Sequence, residues 1–144
     1  MKCKDIMTKY VKMCNPESTA KEAAQIMKAV NAGVVPVVDK THKILGILTD
    51  RDIALNTVAE GKNPNDVQVQ DFMQTSVITA HPNDDIDIAI KKMKQYQIRR
   101  IPIIDDASKL VGIISLGDVA VLSHKEHETF ESLEKISEPV SMSK

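Results

Sequence analysis

Apolar residues recur along this chain in two registers, helical and extended, and the succession of registers occurs twice. In the first half, Ala20, Ala23, Ala24 and Met27 fall on one helical face, and Thr19 with Glu22 has the spacing of a capping box. Ile86, Ala89, Ile90 and Met93 repeat the stripe in the second half, where Asp84 or Asp85 stands at the capping position. A short extended run precedes each helix, Val11 to Cys14 and Val77 to Ala80, with a proline just after it. Two apolar runs follow each helix. Val34–Val38 and Ile44–Leu48 are joined by the polar turn Asp39 to Lys43, and Ile101–Ile104 and Leu110–Ile114 are their counterparts. Runs of this length and composition, separated by a polar turn, predict β-hairpins, with each proline near a strand start or edge where no ladder donor is lost. A second helix opens at Thr49 or Ser115, so each half reads β-α-β-β-α.

Sliding the chain against itself by 66 residues aligns the halves without a gap. Asp5 falls on Asp71, Met7 on Met73, Pro16 on Pro82, Met27 on Met93, Pro36 on Pro102, Gly46 on Gly112 and Asp52 on Asp118. Over residues 4–54 against 70–120, 14 of 51 positions are identical, where chance at ordinary composition gives about one in fifteen. About 50 residues with two helices and three strands bury too little apolar surface to stand alone. Two such units packed sheet to sheet, helices outside, with pseudo-twofold symmetry, form the expected α/β (α+β) architecture. The expected organisation is repeat 1 over 1–62, a linker over 63–68, repeat 2 over 69–125, and a C-terminal helix and tail over 126–144, the helix running from Glu126 to Ile136.

The composition is that of an ordinary soluble domain, 42% apolar and 27% charged with a net charge of −1. Lys and Arg are dispersed, so the dense positive face of a general nucleic-acid binder is absent. The longest apolar runs, such as Val34–Val38, fall far short of the ~20 residues of a membrane span, and the start Met1-Lys2-Cys3-Lys4-Asp5 lacks the apolar stretch of a secretory signal. These features predict a cytoplasmic protein. Its two cysteines, Cys3 and Cys14, read as reduced thiols, since neither a disulfide framework nor a CxxC pair is present.

Three stretches resemble the CBS-domain family, two copies of which form a Bateman module. They are Lys4-Asp5-Ile6-Met7-Thr8, Ile98-Arg99-Arg100-Ile101-Pro102-Ile103-Ile104-Asp105, and Leu45-Gly46-Ile47-Leu48-Thr49-Asp50-Arg51-Asp52-Ile53. The stretch Leu48-Thr49-Asp50-Arg51-Asp52 with Asn63-Pro64 is also similar to stand-alone bacterial CBS pairs of the hypoxic-response type. The resemblance implies that adenosine ligands occupy clefts between the repeats. It implies a site at the Thr or Ser that ends each hairpin and the Asp three residues on, here Thr49 with Asp52 and Ser115 with Asp118. A carboxylate can accept two hydrogen bonds from a ribose diol, and a hydroxyl at a helix start can donate to a phosphate. Gly33, Val34 and Val35, or Ile78, Thr79 and Ala80, supply small or aliphatic walls for a purine. Thr-x-x-Asp and Ser-x-x-Asp are equally the pattern of helix caps, worth about 1 kcal/mol, and the two roles are compatible.

Arg99 and Arg100 have Gly33 and Val34 at the aligned positions of the first half. The resemblance directs this basic pair towards the phosphates of a ligand held by the opposite repeat, alongside Thr49 and Asp52; guarding a strand edge or pairing with surface carboxylates is the alternative. The two clefts are therefore expected to differ. The first has the cations but Met13 where the second has Thr79, and a Thr there often touches the ligand in the family. The second has Thr79, Ser115 and Asp118 but no basic pair.

His124, His127, Glu128 and Glu131 share one face of the expected tail helix, where a solvated polar face outweighs a metal site. His42 and His81 lie in loops, and no nucleophile–base motif or phosphate loop accompanies them. No catalytic residue, resident metal or required cofactor is assigned. The expected protein is a non-enzymatic regulatory module that binds AMP, ADP, ATP or a related molecule. It would form a homodimer and signal to a separate downstream protein, without nucleic acid or membrane as partner. The alternative is a ligand-free dimerisation module; a weaker third reading is metal or redox sensing through Cys3, Cys14 and the tail histidines.

Overall fold

The computed structural model describes residues 1–122 and residue 136. The tail helix expected from Glu126, and with it His124, His127, Glu128 and Glu131, lies outside the described residues, Ile136 excepted. In chain order the elements are α1 (Cys3–Ile6), α2 (Ala20–Val30), β1 (Val34–Val38), β2 (Ile44–Thr49), α3 (Asp50–Asn56), a 3₁₀ turn (Val69–Asp71), α4 (Ile86–Tyr96), β3 (Arg100–Ile104), β4 (Leu110–Ser115) and α5 (Leu116–Leu122). From α2 onward, every helix and strand of the first half has a counterpart displaced by 66 residues. Among the described residues no helix is long and apolar enough to cross a membrane.

Local chemistry sets the ends of the longer helices. The Glu22 amide donates to Thr19 Oγ1 (3.1 Å) and the Thr19 amide to Glu22 Oε1 (3.4 Å), closing the capping box of α2. Asp85, not Asp84, caps α4, with Oδ1 accepting from the Asp87 amide (3.0 Å); Asp84 instead accepts from the His81 amide (2.9 Å). Both helices stop at a left-handed residue, Asn31 (φ 53°) and Gln97 (φ 55°).

Each hairpin is a two-stranded antiparallel sheet. In the first, Val34 pairs with Thr49, Val35 with Leu48, Pro36 with Ile47 and Val37 with Gly46, with a bulge before Val38. The extended runs expected ahead of the helices contribute one paired residue each, Cys14 beside Val37 and Ala80 beside Ile103. The prolines explain this. Cys14 bonds to Pro36 O (2.9 Å) and receives Val38 N (2.9 Å), and Ala80 does likewise with Pro102 O (3.1 Å) and Ile104 N (2.9 Å). A strand residue's N–H and C=O point the same way, so the next donor of each ladder would be the proline nitrogen, which carries no hydrogen.

The chain divides into two compact units, and each takes its leading segment from the other repeat. The first unit comprises Tyr10–Val77 and Asp106–Leu110; the second comprises Met1–Lys9, Ile78–Asp105 and the described residues from Val111 on. In the second unit Cys3 N donates to Asp84 O (2.9 Å), Lys4 N to Pro82 O (2.9 Å), Ile86 N to Met1 O (2.9 Å) and Thr8 N to Ile113 O (2.9 Å). The same four bonds recur 66 residues along in the first unit: Val69 N to Ser18 O (2.8 Å), Gln70 N to Pro16 O (3.2 Å), Ala20 N to Val67 O (2.8 Å) and Gln74 N to Ile47 O (2.8 Å). The turn of the second hairpin also belongs to the first unit, where Ile44 N donates to Ser108 O (3.1 Å) and Leu110 N to His42 O (2.9 Å).

Each unit has its own core. In the first, Cys14, Ala23, Met27, Val35, Val37, Leu48 and Val69 are buried, with Ile26, Ile53, Phe72 and Met73 packed against them. Ala24, on the expected stripe, is exposed. The second unit's core joins Cys3 and Ile6 of the leading segment to Ile86, Ala89, Ile90 and Met93 of α4 and to Ile101, Ile103 and Ile114 of the hairpin.

Burial pushes the Cys3 thiol from its ordinary 9.0 up to about 11, with the carboxylates of Asp84 and Asp85 adding to the effect and Lys92 opposing it. The unfolded chain therefore loses this proton first. The contribution to stability is intact below pH 9.0 and is lost as the pH rises towards about 11. The urea midpoint should fall over that interval, and the fall should be smaller in Cys3→Ala; parallel pH profiles for the two proteins would contradict the shift.

Candidate functional site

At the open end of the first hairpin, β1 begins at Val34 and β2 ends at Thr49, its pairing partner. The chain turns directly into α3, and Thr49 and Asp52 cap it reciprocally: the Asp52 amide donates to Thr49 Oγ1 (3.1 Å) and the Thr49 amide to Asp52 Oδ2 (2.9 Å). Ser115 and Asp118 do the same for α5, the Asp118 amide donating to Ser115 Oγ (3.0 Å) and the Ser115 amide to Asp118 Oδ2 (3.2 Å). The capping role of both pairs is thus realised in the structure. In each pair the cap uses only Oδ2. Among the described residues Oδ1 of Asp52 and of Asp118 accepts no hydrogen bond.

The strand preceding each cap is tied to it. The Asp50 amide donates to Gly33 O (3.0 Å), and at the equivalent place in the second unit the Leu116 amide donates to Arg99 O (3.0 Å). A Cβ at Gly33 would lie 3.1 Å from Asp50 Oδ2, a tight contact that the carboxylate relieves by moving a few tenths of an ångström. At the matching place in the second unit, Leu116 replaces the acid and Arg99 replaces the glycine. Arg99 and Arg100 thus stand at the same hairpin end as Ser115 and Asp118. Among the described residues neither guanidinium has an ion-pair or hydrogen-bond partner.

The remaining candidates are dispersed within their units. Val34 and Met13 are half-buried, but Val35 is 1% exposed and packs in the core, so only its backbone can face a ligand. Ile78 packs against the second unit's core. Thr79 opens onto a hollow of about 260 Å³ lined also by Ala80, His81, Asp84, Lys92, Ile104 and Asp105, and its carbonyl accepts from Lys92 Nζ (2.7 Å). That hollow includes neither Ser115 nor Asp118. Among the described residues no three His, Cys, Asp or Glu side chains are grouped as metal ligands.

Sequence reasoning missed Gln74. The leading segment of the second repeat pairs Gln74 with Ile47, and the Gln74 Nε2 donates to Asp52 Oδ2 at 2.9 Å. Thr8 occupies the equivalent place in the second unit, paired with Ile113, and makes no bond to Asp118.

A duplicated β-α-β-β-α unit with a Thr/Ser–Asp cap after each hairpin is the arrangement of a tandem CBS pair. The CBS domain family matches residues 3–56 and 69–125, and the chain belongs to that family. It is 42% identical over 134 residues to the CBS domain-containing protein YhcV of Bacillus subtilis, covering 93% of this chain and 94% of that protein. The solved structure of Hypoxic Response Protein I with two coordinated zinc ions is 30% identical, with a TM-score of 0.76, over 83% of this chain and 97% of that one. The CBS domain pair of protein MJ0100, solved in complex with 5′-methylthioadenosine and S-adenosyl-L-methionine, is 32% identical, with a TM-score of 0.76, over 88% and 98%.

Proposed function

We propose that this CBS pair is a cytoplasmic, non-catalytic sensor that binds an adenosine nucleotide, forms a homodimer, and reports occupancy to a separate protein. The observation that carries the reading is the uncommitted carboxylate oxygen in both caps. A helix cap consumes one oxygen of Asp52 or Asp118 and leaves the other able to accept from a ribose hydroxyl. Arg99 and Arg100, with no carboxylate partner among the described residues, supply the cations for a phosphate, to which the guanidinium fork is matched. Val34 and Met13 supply apolar contacts in the first unit, and Ile78 and Thr79 supply apolar and hydroxyl contacts in the second. The adenosine compounds bound by the MJ0100 pair support this ligand class.

Calorimetry with AMP, ADP, ATP, S-adenosylmethionine and methylthioadenosine tests it. At least one should bind saturably, and Asp52→Asn should weaken binding by about tenfold or more, the loss of a charge-assisted hydrogen bond. Asparagine retains a carbonyl for the Thr49 amide, so the cap survives the substitution. A folded protein silent across the panel would overturn the reading. The alternative, a ligand-free dimerisation module, draws on the same caps, because Thr49–Asp52 and Ser115–Asp118 already satisfy one another. It requires a stable dimer by light scattering together with that silence.

A further inference from the structure

We propose that Gln74 is a specificity-determining residue of the first unit, which makes the Thr49–Asp52 site select a sugar with both vicinal hydroxyls present. The inference rests on the adenosine-binding reading above and concerns how that site recognises ribose.

Each carboxylate oxygen offers two acceptor positions. Asp52 Oδ2 spends both, one on the Thr49 amide and one on Gln74 Nε2, each at 2.9 Å. Only Oδ1 remains for a ligand. A primary amide carries two N–H donors, and Gln74 uses one of them on Asp52, so the second is held beside the carboxylate. The Gln74 main chain is fixed on β2, where Gln74 N donates to Ile47 O (2.8 Å) and Ile47 N to Gln74 O (2.9 Å), and the bond to Asp52 orients the side chain from there. Both Gln74 and its bond to Asp52 are exposed, so the group is accessible and is not part of the core. The result is an acceptor and a donor side by side. A vicinal diol matches that pair when one hydroxyl donates to Asp52 Oδ1 and the neighbouring oxygen accepts from Gln74.

The second unit lacks the device. Among the described residues Asp118 Oδ2 accepts only from the Ser115 amide, and Thr8, in the place of Gln74, makes no bond to it, so the carboxylate presents acceptors on both oxygens. The two caps therefore offer different hydrogen-bonding patterns to the same sugar, and Gln74 is the source of the difference.

The test uses adenosine, 2′-deoxyadenosine and 3′-deoxyadenosine, titrated by calorimetry into full-length protein carrying Asp118→Asn so that the first unit is read alone. Adenosine should bind about tenfold more tightly than the weaker deoxy analogue, as expected for one hydrogen bond. Gln74→Ala should weaken adenosine by a similar factor and bring the preference to within about threefold. Gln74→Met, which keeps the length of the side chain and removes the donor, should behave as Gln74→Ala does. Adenosine affinity and preference unchanged in both variants would overturn the role of Gln74 and leave the adenosine site standing. A protein that binds none of the three nucleosides would overturn the Gln74 proposal, and one silent as well to AMP, ADP, ATP, S-adenosylmethionine and methylthioadenosine would overturn the adenosine site with it.

Discussion

Gly46→Ala is expected to destabilise the protein by about 1–3 kcal/mol, towards the upper end of that range, through overpacking. The cause is the leading segment of the second repeat, which lies against β2. A Cβ at Gly46 would come within 2.7 Å of Met73 Sδ and within 2.9 Å of the Gln74 carbonyl oxygen. The methionine can rotate, but the carbonyl accepts from Ile47 N at 2.9 Å and cannot retreat without breaking that bond. At the equivalent Gly112 the three nearest atoms are side-chain atoms of Met7, with Sδ at 2.5 Å, Cγ at 2.8 Å and Cβ at 3.0 Å. The two glycines should therefore respond differently to removal of the methionine. In urea-unfolding cycles, Met7→Ala should relieve much of the cost of Gly112→Ala, whereas Met73→Ala should relieve little of the cost of Gly46→Ala. Equal relief at both positions would show that the Gln74 carbonyl is not the obstacle.

Deleting residues 1–9 should have a larger effect. The segment places Cys3 (0% exposed) and Ile6 (5% exposed) in the second unit's core and supplies backbone partners to Ile86, Ile113, Pro82 and Asp84. Full burial of one isoleucine contributes about 1.5–3 kcal/mol, and the deletion removes the hydrogen-bond partners of buried Ile86 and of half-buried Pro82, Asp84 and Ile113. Against a total stability of about 5–15 kcal/mol, the second unit should lose its cooperative transition near room temperature. Hydrogen exchange gives the local readout. The amides of Ile86 and Ile113, which donate to Met1 O and Thr8 O, should lose protection, and those of Val69 and Gln74 in the first unit should keep more of theirs. An unchanged melting midpoint with Ile113 still protected would mean that the segment contributes nothing to the core.

Much of this fold was legible in the chain. The stripes of α2 and α4, the Thr19–Glu22 box and the two hairpins follow from periodicity and turn chemistry, and the 66-residue offset gave the symmetry. The first extended runs were overread because Pro36 and Pro102 act on a neighbouring segment, and a local pattern carries no trace of that. Val35 read as a wall residue because all four residues from Val35 to Val38 are buried, leaving no alternation to separate an inward from an outward face. The exchange of leading segments was hidden by the duplication itself. Lys4–Thr8 and Gln70–Gln74 share Asp and Met at the same offsets, so pattern alone does not say which body each one joins. Gln74 was invisible for a related reason. It aligns with Thr8, an exposed polar position of no fixed type, and only the exchange brings it to Asp52. The capping pairs were the most informative residues in the chain, and the structure shows both as helix caps that leave Oδ1 of each aspartate without a hydrogen bond among the described residues.

The reciprocal loan of leaders bears on what half of this protein could be. A polypeptide carrying a single repeat is an open structure, with a vacant groove beside its hairpin and a tether that belongs in someone else's groove. Two such polypeptides can complete each other by trading tethers, and the folding of a half-length version would then depend on how much of it is present. Joining the copies in tandem makes the trade intramolecular and frees it from dilution.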